Sequence, residues 1–358
     1  MPLSIEGYDV EEMTRKRITE MNYDITNILA NPIVETTPIV TTFGSLSGTQ
    51  KFGGGVLHPN GKIYGTPYNA NAIVEVDPTT REITTFGSLG TNTSKWFRGC
   101  LGQDNKIYCA PLLSASILEI DPYTRTTQLH GSFGTTNKWF DAIAHPNGKI
   151  YFFPHSHPSI LEFDPFTKEY TTFGNLVALS HVSFVLHPNG KIYGIPYNAT
   201  QIIEIDVTIK TISALNHTVL SGSAKWMSGV LHPNGKIYGI MSNGTNILEF
   251  DPLISQVTTF GSISSLSERY SQAALAPDGN IYAFPYNDTA ILKVNPYTRT
   301  ITRFSSYGAV NDHKWASVIL ASNGKLYGIP RNTTRFIELD TLNDPVDSSI
   351  ALLPYLNH

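Results

Sequence analysis

Charge is scarce in this chain. Lys, Arg, Asp and Glu make up 15% of its 358 residues, against roughly 25% in an ordinary domain. The 25 basic and 29 acidic residues leave a formal net charge of −4. No run of Lys or Arg is longer than the three residues 15–17, so an extended basic surface of the kind that neutralises phosphates is not indicated and nucleic acid is not an expected partner. Two cysteines, Cys100 and Cys109, are too few for a disulfide framework and are expected as small core residues on the two arms of one hairpin. No apolar stretch approaches the roughly 20 residues of a membrane span. The opening residues, MPLSIEGYDVEEMTRKR, lack the apolar core of a secretory signal. The expectation is a soluble protein that is cytoplasmic, carried in a virion, or exported by a non-classical route. P-loop, nucleophile-elbow and HExxH motifs are also missing.

What the chain has is repetition. HPNGKIYGTP at residues 58–67 returns as HPNGKIYFFP at 145–154, HPNGKIYGIP at 187–196 and HPNGKIYGIM at 232–241. Looser copies are GQDNKIYCAP, APDGNIYAFP and ASNGKLYGIP. The turn positions are Gly61, Asn105, Gly148, Gly190, Gly235, Gly279 and Gly324. Successive turns lie 42 to 45 residues apart, about the length of a propeller blade. Each copy resolves into four strands, A to D. Strand A is short and rich in small residues, as innermost strands converging on an axis require. Asn-Gly then makes a type I′ hairpin turn. Strand B carries a tyrosine in every copy. A residue placed identically in every blade is read as packing, because a functional site would break the symmetry. Strand C (IVEVDP, ILEIDP, ILEFDP and relatives) is β-branched and aromatic, and Asp-Pro ends it. Strand D is Thr-rich, as in EITTFG.

The count of D strands predicts how the ring closes. The seventh copy loses the motif after its C strand, while residues 38–44 (PIVTTFG) form a D strand with no A, B or C before it. The fold predicted is all-β: a seven-bladed propeller over residues 38–340, closed by the N-terminal strand, which removes an open sheet edge. Residues 1–37 are read as a docking or oligomerisation segment. Val10, Met13, Ile18, Met21, Ile25 and Leu29 recur there at mostly helical spacing, so a short helix is expected, packed on the propeller, on itself or on a larger assembly. Residues 341–358 are a C-terminal tail.

Residues 277–304, PDGNIYAFPYNDTAILKVNPYTRTITRF, resemble the repeat of the virginiamycin B lyases, and the likeness runs through all seven copies. The resemblance implies a seven-bladed ring. It also implies, as an alternative function, a metal-dependent lyase with His and Glu near a magnesium ion on one face. In that family an acidic residue commonly follows the second strand. Here Gly-Thr-Pro, Phe-Phe-Pro or Ala-Phe-Pro stands there, so the likeness is one of architecture.

The A–B and C–D turns are near-uniform, whereas the D–A and B–C loops vary. Any site is therefore expected on the D–A/B–C face. Nine residues before each turn stands an aromatic group: Phe52, Trp96, Trp139, Trp226, Tyr270 and Trp315, with His181 in the fourth copy. Lysines precede several of them. One reading is a ring of wedges between blades with lysine stems lying over them. The other is an aromatic-lined mouth for a sugar or peptide, extended by Tyr197, Asn198, Tyr286, Asn287 and Arg331 of the B–C loops. The third copy departs most, with His155-Ser156-His157 in its B–C loop. These are weak metal or acid–base candidates, with His181 and Glu268 in loops of the same face. The histidines of the HPNGK turns belong to the structural turn. No cofactor is expected. The overall expectation is a non-catalytic binding or structural module for a protein or glycan, displayed on a virion or surface assembly. The alternatives are the metal-dependent lyase and an intracellular interaction scaffold.

Overall fold

A computed structural model describes residues 38–342 apart from residues 179, 216–219, 265–267 and 309–311, together with two dipeptides, Ser4–Ile5 and Tyr8–Asp9. The chain divides into two compact units, Met1–Thr37 and Pro38–His358. In the first, the two dipeptides pair antiparallel. The helix expected over residues 10–29 lies outside the described residues, as does all but the start of the tail.

Among the described residues of the second unit are seven four-stranded antiparallel sheets, each ordered A-B-C-D. Blade 1 consists of Phe52–Leu57, Ile63–Pro67, Ile73–Val76 and Ile83–Phe86. Blades 2 to 6 repeat it, beginning at Trp96, Trp139, His181, Trp226 and Tyr270. Blade 7 runs Trp315–Leu320, Leu326–Pro330 and Phe336–Asp340, and its outer strand is Ile39–Phe43. That strand pairs Ile39 with Asp340, Thr41 with Glu338 and Phe43 with Phe336. The ring is closed as the strand count requires, and the rings of Phe43 and Phe336 stack 5.5 Å apart. Strands B and C are buried nearly throughout, whereas the D strands alternate. The cores lie between blades: Val185, Tyr193 and Ile195 of blade 4 pack with Trp226 and Ile240 of blade 5 and Tyr270 of blade 6.

Two local expectations need correction. Only the glycine of the HPNG turn has a left-handed backbone (Gly61, φ 82°), and Asn60 does not. Gly61 N–H donates to the His58 carbonyl at 2.9 Å. This is a type I turn followed by a left-handed residue, not type I′. Asn105 takes the left-handed place in blade 2, with φ 59°. The axis, moreover, is not reserved for small side chains. Blade 1 does use Gly53-Gly54-Gly55 there, and a Cβ on Gly53 would lie 2.8 Å from the Phe97 backbone. The room so made is filled by Arg98 of blade 2. Its guanidinium reaches Asp141 of blade 3 at 3.3 Å and the carbonyls of Val182, Met227 and Ser271, in blades 4, 5 and 6. Asp141 also accepts from the Ala142 and Phe184 amides. One buried cation thus ties five blades across the axis. The two cysteines are free and not directly opposed, since Cys109 faces Gly99 and Cys100 faces Tyr108.

The repeated tyrosine is packed and also polar. Tyr64, fully buried, donates to Glu75 of the neighbouring strand at 3.0 Å and accepts from Asn60 at 2.9 Å. Glu75 in turn meets Lys62 of its own blade and Arg125 from the C–D turn of the next. That turn puts Arg125 in a left-handed conformation, which delivers its guanidinium across the blade boundary. The pattern recurs as Lys168–Glu119, Lys210–Glu162, Arg299–Glu249 and Arg81–Glu338. Blade 6 has Lys293 in place of the glutamate, opposite Tyr282, and Asp278 takes the tyrosine's hydrogen bond instead.

Desolvation pushes four of these glutamates, Glu75, Glu119, Glu162 and Glu338, up. The lysines and arginines around Glu75, Glu119, Glu162 and Glu338 outweigh it and hold their carboxyls low, Glu119 at about 2. A carboxylate depressed in the folded state contributes stability above its unfolded value, near 4.3, that is lost as pH falls towards the folded value. Urea unfolding midpoints are therefore expected to be flat from this source between pH 7 and 5 and to fall steadily between about pH 4.3 and 2. A midpoint unchanged at pH 3 would contradict this.

Candidate functional site

The D–A and B–C loops meet at one end of the ring, and most of what the sequence offered as a site there turns out to bind blade to blade. Trp96, Trp139, Trp226 and Trp315 are buried. Each indole Nε1–H donates to the carbonyl twenty residues on: Ser116, Ser159, Asn246 and Arg335, at 2.8 to 3.0 Å. The Tyr270 hydroxyl does the same to Ala290, and His181 Nε2 to Gln201. These groups are wedges with their polar tips satisfied, so as a stacking surface for a ligand they are corrected to packing. Burial holds His181 down at about 4, neutral at physiological pH.

The lysines beside them do not snorkel. Lys51, Lys95, Lys138, Lys225 and Lys314 are buried to within 5% of exposure, and their ammonium groups cap backbone carbonyls. Lys225 Nζ donates to Tyr197 and Ala199 of blade 4 and to Gly222 of its own loop. Lys138 reaches Leu112, Gly134 and Thr136, and Lys51 reaches Gly48, Arg331 and Thr333. Three carbonyls take up the three ammonium donors. Burial pulls Lys51 and Lys138 down to about 8, whereas the carbonyl cage favours the charged form. In blade 6 Arg269 replaces the lysine and pairs with the fully buried Asp288 at 2.5 Å, which also meets Arg303.

The B–C loop asparagines complete the stitching. Asn198 Oδ1 accepts from Ala224 N–H at 2.9 Å, and Asn287 Oδ1 from His313 N–H at 3.1 Å. Asn69, Asn243 and Asn332 do the same for Ser94, Glu268 and Gln50. Every amide acceptor lies in one blade and its donor in the next. Asn198 and Asn287 are thus spent on the scaffold.

What remains is asymmetric. At the mouth of the axis Arg331, 6% exposed, lies over the rings of Tyr68, Phe97 and Tyr286 at 4.5, 5.5 and 5.6 Å. Phe97 stacks on Phe140 at 3.7 Å, and Tyr197 and Met227 pack against this cluster. Tyr197, Tyr286 and Arg331 thus come together in one cluster. Glu268 meets His313 at 3.3 Å rather than His181. His155 bonds Ser156 Oγ at 2.8 Å with its ring over Phe140, and burial lowers it. His157 turns away to lie on Trp139, ring centroids 4.7 Å apart. The structure does not bring His155, His157 and His181 together. Among the described residues no group of three or more His, Cys, Asp or Glu is placed to hold a metal.

No family model and no curated sequence matches the chain. Solved structures do. A streptogramin B lyase superposes with a TM-score of 0.72 at 13% identity, over 85% of this chain and 97% of its own. Virginiamycin B lyase from Staphylococcus aureus gives 0.73 at 11%, over 85% and 99%. Kuenenia stuttgartiensis hydrazine synthase gives 0.67 at 12%, over 83% and 97%. The shared property is architecture. Identities this low carry the seven-bladed ring and nothing of its chemistry.

If Trp226 is a wedge, Trp226→Phe keeps the ring but orphans the Asn246 carbonyl. The expected cost is about 1–3 kcal/mol in urea unfolding. Full stability in that variant would show that the indole hydrogen bond contributes nothing.

Proposed function

We propose that this propeller is a non-catalytic recognition module that binds a glycan or protein through its D–A/B–C face and is held in a larger assembly, such as a virion or other surface structure. The observation that carries the reading is how the conserved and variable parts of the repeat are spent. Tryptophans, lysines and asparagines that recur are used up between blades, and Arg98 occupies the axis. The groups left over on that face are aromatic and amphipathic: Tyr68 and Tyr197 are half-buried at its surface, and Phe97, Tyr286 and Arg331 are buried beneath them. Such a surface suits contact by stacking and a few oriented hydrogen bonds. General acid–base work requires two groups within about 3 Å of the reacting atoms, and the three loop histidines point to different partners.

The opposite face supports the attachment half of the proposal. Tyr123, Phe166, Ile209, Leu253, Ile254 and Tyr297, at the tips of the C–D turns, are 62 to 77% exposed. Exposed apolar groups gathered at one end of a protein mark contact surfaces. A module held by these tips presents its loops outward.

The lyase alternative is tested directly. The full chain is incubated with a streptogramin B antibiotic and magnesium, and ring opening is followed by mass spectrometry. No turnover is expected, with or without chelator. Ring opening that a chelator abolishes would overturn the non-catalytic reading.

A further inference from the structure

Blade 3 departs from the repeat in a way its histidines only begin to show. A groove of about 340 Å³ opens on its flank, lined by Phe133, Trp139, His157, Tyr170, Thr171 and Thr172. Three of these rings stand where most other blades set smaller groups, at positions that the backbone makes equivalent, with Tyr307 the exception at the place of Phe133. His157 N–H donates to the carbonyl of Lys138, as Ala70, Ser114, Ala199 and Gly244 donate to theirs. Phe133 N–H anchors to the preceding blade as do Leu46, Leu89, Leu176, Leu220, Ile263 and Tyr307. Tyr170 faces Phe163 across strands C and D, where the other blades set Ile83, Thr127, Ile212, Val257, Ile301 and Val40 against their C strands. Only blade 3 has aromatic rings at all three places. Packing does not ask for this, since six blades manage without it.

The rings are braced. Phe133 meets Trp139 edge-on at 5.2 Å and Tyr170 at 4.9 Å. Trp139 spends its N–H on Ser159 and is 1% exposed, so it backs the groove as packing. Tyr170 is 48% exposed, and its hydroxyl makes no hydrogen bond to the described residues. His157 Nδ1 lies 3.1 Å from the Ser159 N–H and 3.2 Å from the Ser159 carbonyl, so it accepts from the one or donates to the other and leaves Nε2 facing the groove as the complementary donor or acceptor. The Thr171 and Thr172 side chains are exposed. No Lys, Arg, Asp or Glu lines the groove.

We propose that this groove is a binding subsite for one ring of a neutral saccharide, deepening the recognition reading above and resting on it. A pyranose has one face of C–H groups and a rim of hydroxyls. The C–H face suits an exposed tyrosine, whose ring face carries the negative end of the aromatic quadrupole. The rim suits donors and acceptors that stand beside it, here the Tyr170 and Thr172 hydroxyls and His157 Nε2. The absence of charge around the groove selects an uncharged ligand. Its volume sits at the small end of the roughly 300–1,000 Å³ of ligand pockets, enough for a single unit and not for a chain.

The experiment is saturation-transfer NMR on the full chain with methyl glycosides of glucose, galactose, mannose and N-acetylglucosamine at millimolar concentration, with indole fluorescence as a second readout. At least one glycoside is expected to bind. Tyr170→Ala is expected to weaken it tenfold or more and His157→Ala severalfold. Thr302→Ala, at an exposed position on the outer strand of blade 6, leaves it unchanged. Melting temperatures check that each variant is folded. Should Tyr170→Ala unfold the chain, Tyr170→Ser and Thr172→Val replace it. No binding of any neutral glycoside overturns the proposal. Binding that survives Tyr170→Ala but is lost in Arg331→Ala overturns it too, while leaving recognition by the loop face standing. Chelator-sensitive turnover of a streptogramin would overturn the recognition reading itself, and is measured separately.

Discussion

A lysine buried just before the inner strand of five blades, with its ammonium facing carbonyls of its own loop and of the preceding blade's, is the contact from which much of this structure can be understood. A four-stranded sheet has two apolar faces and no means of covering them alone. Its neighbours cover them, but apolar burial is indifferent to small slips between sheets. Lys225 is not indifferent, because Tyr197, Ala199 and Gly222 must all be within hydrogen-bond reach at once. Asn198 fixes the same boundary from the other side through Ala224. At the far end of the blades His187 reaches the Gly235 carbonyl at 3.2 Å, and Lys210 meets Glu162. Both ends of the blade boundaries are therefore registered by directional bonds, and burial makes an unmade one costly.

This explains why the recurrent polar residues of the repeat were misleading as guides to a ligand. Trp, Lys and Asn near loop ends look alike in sequence whether they face a sugar or a neighbouring blade. Recurrence favoured the second, and the tryptophans, His181, Asn198 and Asn287 all follow it. The architecture was legible because its signals are periodic: a turn every 42 to 45 residues and one orphan outer strand. The loop-face cluster was partly legible, through Tyr197, Tyr286 and Arg331. Its floor of Phe97 and Phe140 was not, because both sit in inner strands that the sequence marks as small. Arg98 was the available clue, a large cation where the other copies carry Gly, Ser, Asp or Gln. Phe133 and Tyr170 were legible only by comparing each strand position across the copies, as the exception and not the repeat.

Function then divides along the same line. Residues that every blade shares hold the ring, and residues that one blade holds alone are available for something else. The likeness to the streptogramin lyases extends through the shared part. The mouth of the axis around Arg331 and the flank of blade 3 belong to the second part, and both are aromatic.

The claim beneath all of this is that the ring is one cooperative unit, registered at every boundary and closed by Ile39–Phe43. Native-state hydrogen exchange on Phe43→Ala tests it most directly. Removing a buried ring stacked on Phe336 is expected to cost about 3–5 kcal/mol. If the claim holds, the slowest amides of strands B and C in all seven blades lose protection by the same amount. Loss confined to blade 7, with blades 3 to 5 unchanged, would contradict it.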